Sequence, residues 1–358
     1  MDINYLQIAR NIHNNVKSII LNDFYKNNLI QIKINNESQF LDLTMFELRN
    51  YINTLINSEF NKLDANINKS LAFPIGINGD KMVAHYTPIQ LSKQYANNLP
   101  YYANPFTQLK HFKIIKIDYG ISIEGNIIDK AFSLNINKTE LEDLLITTSN
   151  LAVNTVIKNI GVGVRLIDLA KDVKEFVESY EYNEEPIKIV DNIYSHNIKS
   201  WRVHGNKFIK PDWTALDYDG VKDLKVESNE QWAIEIYCSN GIGKGKLIED
   251  TKLFSHYKIC ENYINNDNSL KKIPIFENDE INKLIGYITN PLPFCPNSIS
   301  FKYNKKKVSC TKIVDLCQHL HSNKVLESYP PVIEASPSNC SVSQIEKNII
   351  VGSSIIEL

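Results

Sequence analysis

The chain has 358 residues, 43% of them hydrophobic and 22% charged, a composition that supports a sizeable buried core and excludes disorder over most of its length. A formal net charge of -2 and a pI near 6.5 supply no clustered positive field of the kind that holds phosphate backbones, so no specific nucleic-acid partner is expected. None of the six cysteines forms a C-x-x-C pair, which excludes a zinc ribbon or redox motif and leaves reduced, structural thiols as the expectation.

Ile3, Leu6, Ala9, Ile12, Val16 and Ile19 recur at three- and four-residue steps. The spacing predicts an amphipathic helix before Asp23 rather than a signal peptide. No later stretch approaches the roughly 18 to 20 apolar residues of a bilayer span, so a cytoplasmic chain without a membrane partner is expected. The first hundred residues read mainly as helical, with a second amphipathic stretch over residues 43–56, and Ala72-Phe73-Pro74-Ile75-Gly76 reads as a loop. β-Branched and aromatic residues dominate residues 112–118 and 126–136, and Glu124-Gly125 between them predicts a hairpin turn. Thr139 and Glu142 have capping-box spacing ahead of a helix that stops near Gly161, and a further helix fits residues 166–180. Strand-like segments recur at residues 187–198, 231–238 and 342–351. Residues 257–328 are richer in Lys and Asn, contain Pro291, Pro293 and Pro296, and carry one helix at residues 312–321. They read as an insertion within a single domain spanning residues 1–358.

Asp118 closes one predicted strand and Asp129 lies in the next, eleven positions later. A hairpin with its tip near Ile123 and Glu124 sets them opposite each other, facing one ion. Two buried carboxylates repel unless a divalent cation joins them, whereas the plain alternative is a pair of surface acids flanking a turn. His196, Glu235 and Glu346, each in or beside a strand-like segment, add an imidazole and two more carboxylates. Taken singly, Glu346 reads as well as a solvated strand residue and His196 as a structural one. Together, an oxygen-rich set with one histidine suits Mn, Co, Fe(II) or Zn, and five such ligands fit two metals roughly 3.5 to 4 Å apart.

Lys116-Ile117-Asp118-Tyr119-Gly120, Ala84-His85-Tyr86-Thr87-Pro88, Ala233-Ile234-Glu235 and Ser255-His256-Tyr257 resemble the motifs of the type 2 methionine aminopeptidases, as do Leu71-Ala72-Phe73-Pro74 and Ser328-Tyr329-Pro330-Pro331. The resemblance covers nearly the whole chain, from the first helix to Glu346. The motif order and the insertion between His256 and Tyr329 favour type 2 over type 1. The resemblance implies an α/β (α+β) pita-bread fold: a curved antiparallel sheet with flanking helices, pseudo-twofold halves and a helical insertion. It implies two divalent metal ions per subunit (Co, Mn, Fe(II) or Zn), with Asp118 on one, Asp129 and Glu346 bridging, and His196 and Glu235 completing the other. Glu235 is also the implied proton shuttle, His85 the contact to the scissile amide, and His204 the residue that positions the peptide carbonyl. Phe73, Ile193, Val203, His256 and Tyr329, with Pro293 as the weakest match, fall where the family lines its methionine pocket. The implied activity is removal of the N-terminal methionine from nascent proteins, with a small second residue preferred, by a cytoplasmic monomer. Lys305-Lys306-Lys307, otherwise a solvated face, is a candidate for ribosome contact.

The chain departs from the family pattern in three places. Ser195-His196-Asn197-Ile198-Lys199 stands for Gly-His-Ser-Ile-Gly, which puts the backbone placement of His196 in question. Ile236 follows Glu235 where Thr is usual, and residues 238–244 form a longer segment. Lys347 and Asn348 follow Glu346 in place of His-Thr, and a cation there is expected to disturb the local field. Gly241-Ile242-Gly243-Lys244-Gly245 is read as a tight turn and not a phosphate loop, because Cys238 stands where a Walker motif needs Gly and no Ser or Thr follows Lys244. The alternatives are a prolidase-like aminopeptidase, disfavoured by Ala84-His85-Tyr86 and the place of the insertion, and a catalytically silent pita-bread binding protein, disfavoured by retention of all five candidate ligands.

Overall fold

The computed structural model describes residues 1–26, 40–212 and 224–358. The chain opens with helices α1 (Ile3–Lys26) and α2 (Met45–Phe60). Short strands β1 (Lys69–Leu71), β2 (Gly76–Gly79) and β3 (Met82–Ala84) lead to the long hairpin of β4 (Ile114–Ile123) and β5 (Asn126–Asn135). Helices α3 (Glu140–Asn159) and α4 (Leu166–Glu178) follow. Next come β6 (Lys188–Ile189), β7 (Ser195–Ile198), β8 (Phe208–Ile209) and β9 (Glu230–Ser239). Then come β10 (Gly245–Leu247), β11 (His256–Ile259), α5 (Asp279–Ile285) and α6 (Cys310–Ser322). β12 (Leu326–Tyr329), β13 (Val332–Glu334), β14 (Val342–Val351) and β15 (Ile355–Glu357) close the chain.

Three local expectations are corrected. Residues 69–71, 76–79 and 82–84 are strands rather than part of a helical first hundred, because β1 and β2 pair with β4 and β3 pairs with β13, while residues 72–75 form the expected loop. Gly79 permits this approach: a β-carbon there would lie 2.2 Å from the Phe112 ring. Residues 187–198 are not one strand but two, separated by a turn in which Asn192 takes φ 65°. Thr139 occupies the N-cap of α3 without donating or accepting a capping bond, since Glu142 instead accepts from Ser341 Oγ at 2.7 Å. The capping box belongs to α2, where Thr44 and Glu47 satisfy each other's backbone N–H groups.

β4 carries β1 and β2 along one edge and β5 along the other. A second sheet runs β8-β7-β9-β14-β15, with β6 also on β9, and every pairing in both sheets is antiparallel. The sheets meet along β5 and β14 through side chains. Ser133 Oγ donates to Gln344 O and accepts from Gln344 N, both at 2.8 Å, while Asp129 N donates to Asn348 Oδ1 at 2.8 Å. This seam makes one continuous curved surface from two sheets.

Alternation decides what each face does. On one side Ile117, Tyr119, Ile121 and Phe132 pack under Ile12, Val16 and Ile52 of α1 and α2. On the same side of the second sheet, Trp232, Ile234, Ile236 and Ile349 pack under Leu145, Val153, Leu169 and Val173 of α3 and α4. Each such buried side chain contributes about 1.5–3 kcal/mol, so these two faces are apolar and committed. The opposite face is left to polar residues. Each half thus pairs two helices with an antiparallel sheet, the pita-bread fold. Residues 254–326 gather a further apolar cluster, including Tyr257, Leu284, Ile313 and Leu320. Among the described residues no helix is long and apolar enough to cross a membrane.

Candidate metal centre

Asp118 projects from the inner face of β4, between the outward Ile117 and Tyr119, and Asp129 from the inner face of β5. The register pairs Asp118 with Ala131 and Gly120 with Asp129, so the carboxylates are diagonal neighbours rather than opposed. The two-residue turn at Glu124-Gly125 sets that offset, and Asp118 sits mid-strand rather than at a strand end. Gly120 also matters for what lies above it, since a β-carbon there would lie 2.5 Å from the Phe73 ring. In the second sheet Glu235 of β9 and Glu346 of β14 are direct cross-strand partners, and His196 of β7 pairs with Ala233.

The five candidate ligands converge across the seam. His196 Nε2 lies 3.7 Å from Asp129 Oδ2 and 3.7 Å from Glu235 Oε1. Asp129, His196 and Glu346 each offer a ligand atom within 4.8 Å of the others. Asp118 Oδ2 accepts from Gln344 Nε2 at 3.0 Å, which leaves its Oδ1 buried without a partner. Burial pushes the Asp118 carboxyl up to about 6. Burial first, and repulsion from neighbouring carboxylates second, push Asp129, Glu235 and Glu346 well above their usual range. Burial also lowers His196 to about 4, so its imidazole is neutral and offers a lone pair. Four acids without an ammonium or guanidinium among them, one with an orphaned oxygen, fit divalent cations.

Above the acids lies a cavity whose walls include Phe73, Val203, His256, Pro293 and Tyr329. His85 and His204 join them, with Tyr329 at ring-centroid distances of 5.6 and 5.7 Å respectively, and His204 lies 4.4 Å edge-on to His196. His85 holds φ 60°, a left-handed conformation rare for a residue with a side chain and a sign of backbone constraint. Burial keeps His85 and His256 neutral, at about 4 and about 3, and His204 well below its usual value. Ile193 is the exception among the expected pocket residues. It packs behind the wall against Val83, Val190 and Tyr237 and does not line the cavity.

Two neighbours were missed by sequence reasoning although period-2 alternation points to both. Tyr237, two residues beyond Glu235 on the same face, donates its hydroxyl to Glu235 Oε2 at 2.9 Å. Gln344, two residues before Glu346, is the residue that holds Asp118.

The departures from the family pattern have local compensation. Ser195 Oγ donates to Glu235 O at 2.9 Å and accepts from Glu235 N at 3.0 Å, while Asn197 Oδ1 accepts from Lys207 N at 2.9 Å. Side chains thus anchor the strand that carries His196. Lys347 does not reach the acids: alternation turns it to the opposite face, where it meets Asn154 Oδ1 at 3.0 Å and Glu357 at 3.1 Å. The glycine-rich loop encloses the chain's own Glu334, whose carboxylate accepts from Gly243 N and Ser336 N, both at 2.8 Å. Gly243 takes φ 74° there, as a turn requires.

The sequence profile described as metallopeptidase family M24 matches residues 44–255. Methionine aminopeptidase 2-1 of Colletotrichum graminicola is 28% identical over 297 residues, covering 82% of this chain and 57% of the relative. Methionine aminopeptidase 2 of Komagataella phaffii is 28% identical over 299 residues, covering 80% and 58%. The chain therefore spans somewhat over half the length of these curated relatives. Among solved structures, that of a thermophilic Arx1 superimposes with a TM-score of 0.71 at 13% identity, covering 100% of this chain and 91% of the other, a likeness of fold.

Proposed function

The chain belongs to metallopeptidase family M24, and from that premise we propose that it removes N-terminal methionine from peptides, preferring a small second residue. One observation carries the reading: four carboxylates, two of them buried and two half-buried, and a neutral histidine converge beneath a cavity walled by aromatic and apolar side chains and topped by two further neutral histidines. The identities to proteins named methionine aminopeptidase 2 support the choice of substrate.

Asp118, Asp129, His196, Glu235 and Glu346 would hold two divalent ions, with Asp129 and Glu346 shared between them. Bound there, such ions supply Lewis acidity and lower the pKa of water. Glu235 has one oxygen committed to Tyr237, which leaves Oε1 to take a proton from the attacking water and pass it to the leaving amine. His85 and His204, held neutral by burial, donate N–H groups to the scissile amide and the peptide carbonyl. Phe73, Val203, His256, Pro293 and Tyr329 enclose the methionyl side chain, an unbranched thioether that adapts to irregular apolar walls. We also take residues 257–328 as an insertion within the one domain, supported by the apolar cluster that this region builds largely from its own side chains.

Mass spectrometry of Met-Ala-Ser and Met-Leu-Ser peptides, incubated with metal-stripped protein restored with Mn²⁺ or Co²⁺, tests the proposal. Metal-dependent methionine release from the Ala peptide, strongly reduced in Asp118→Ala and His85→Ala variants, is the expected result. A folded protein that neither cleaves nor binds metal would put the silent binding protein in its place.

A further inference from the structure

The pleat that turns Asp129 and Glu346 inward turns Lys130 and Lys347 outward, to the face covered by helices. Two cations of α1 join them there. Lys17 Nζ lies 5.0 Å from the centre of the Phe132 ring, on the same face of β5 as Lys130, and Arg10 lies two turns before Lys17 on α1. All four are half-buried. Against them stands one carboxylate, Glu357, which pairs with Lys347 at 3.1 Å.

The other three have little to balance them. Among the described residues the Lys130 ammonium reaches only Asn14 Oδ1, at 3.5 Å, and that of Lys17 only the Phe132 ring. Arg10 has no ion pair or hydrogen bond among the described residues, and its Nε is buried without a partner. The groups feel one another. His13 Nε2 meets Lys130 O at 3.3 Å, and Arg10 and Lys17 flank His13 three residues before and four after it on the same face of α1. Burial and Lys347 lower Lys17. His13 lies fully buried in their midst, stacked on Tyr119 at 4.2 Å, and burial together with Lys130 and Lys17 keeps it neutral. Like charges held together at reduced solvation are unfavourable unless a counter-charge shares the space.

We propose that Arg10, Lys17, Lys130 and Lys347, brought together where α1 crosses β5 beside β14, form a binding site for a phosphate-class oxyanion. A surplus of three positive charges matches a doubly charged tetrahedral anion better than a single carboxylate. Arg10 supplies a fork of donors for two of its oxygens, and the lysines act as point charges. The site lies on the face of the sheet opposite the candidate metal centre and does not depend on the proposed peptidase activity.

Thermal unfolding and titration calorimetry on the full chain, with metal removed and ionic strength held constant with chloride, test this. Inorganic phosphate is expected to raise Tm by about 2–4 °C at tens of millimolar. A Lys17→Gln/Lys130→Gln variant is expected to lose at least tenfold in phosphate affinity, while Lys306→Gln/Lys307→Gln retains it. If the double variant does not fold, Lys17→Gln alone serves, with about threefold loss expected. Dimethyl phosphate, a monoanion that stands for a nucleic-acid backbone, is expected to bind at least tenfold more weakly than inorganic phosphate. Equal or tighter binding of dimethyl phosphate overturns the assignment to a dianion. No gain over chloride, or equal gains in wild type and charge variants, overturns the site.

Discussion

Asp129 and Lys130 are chain neighbours, as are Glu346 and Lys347, yet the pleat of β5 and β14 sends the acids to one face and the bases to the other. On the inner face Asp118 and Glu235 join the acids and leave Asp118 Oδ1 without a partner. On the outer face Arg10 and Lys17 join the bases and leave Arg10 Nε without one. Each face is an unbalanced charge cluster that folding alone leaves unfavourable. The difference lies in enclosure. The inner acids line a walled cavity with histidines around them, Asp129 and Glu346 buried and Asp118 and Glu235 partly so, which suits desolvated ions, while the outer cations are half-buried at a helix–sheet junction, which suits an exchangeable anion.

The sharpest way to break this comparison is at Glu346. A Glu346→Gln substitution keeps the shape and removes the charge, and kcat/KM for Met-Ala-Ser should fall on the order of 10³-fold or more, with Mn²⁺ no longer raising Tm. Tyr237→Phe deletes only the bond to Glu235, and metal affinity should drop by about 10- to 100-fold with unfolding in urea unchanged in cooperativity. Asn348→Ala removes the acceptor for Asp129 N at the seam. It should cost about 1–3 kcal/mol, read as a lower urea midpoint, because a buried N–H is left unmatched.

Acidity separates the faces next. The Asp118 carboxyl is raised from 3.8 to about 6, so its contribution to stability is present below its unfolded value and is lost as pH rises through about 6. Metal-free protein should therefore lose a few degrees of Tm between about pH 4 and pH 7. Mn²⁺ should cancel that loss, so the Mn²⁺-induced gain in Tm should grow across the same window. The smallest effect belongs to the outer face: without phosphate, Lys17→Gln should stabilise the protein by about 0.5 kcal/mol or less, because it relieves like-charge repulsion.

Much of this was legible in the sequence where period and motif agreed. Ile-rich runs with Phe and Tyr on either side of Glu124-Gly125 specified the central hairpin, and the motifs around His85, Asp118 and Glu235 pointed three separate segments to one place. The diagonal register of Asp118 and Asp129 follows from a two-residue turn at Glu124-Gly125, and the expectation that they oppose each other came from setting the tip one residue earlier, at Ile123 and Glu124. The strands within residues 69–84 were hidden because runs of three or four residues become strands only when a partner is supplied, by β4 for β1 and β2 and by β13 for β3. Ile193 followed the family pattern in sequence but packs behind the cavity wall, a difference of side-chain direction that spacing cannot express. Lys347 reads in the sequence as a disturbance to the acids, although alternation from Glu346 already turns it to the other face.

The central claim is that the inner acids exist to hold metal. Equilibrium dialysis of Mn²⁺ against metal-stripped wild-type protein and an Asp129→Ala/Glu346→Ala variant, both verified as folded, tests it most directly. Two ions bound per wild-type chain, with both lost in the variant, is the predicted result. Saturable binding absent from the folded wild type, or unchanged in the variant, would contradict it.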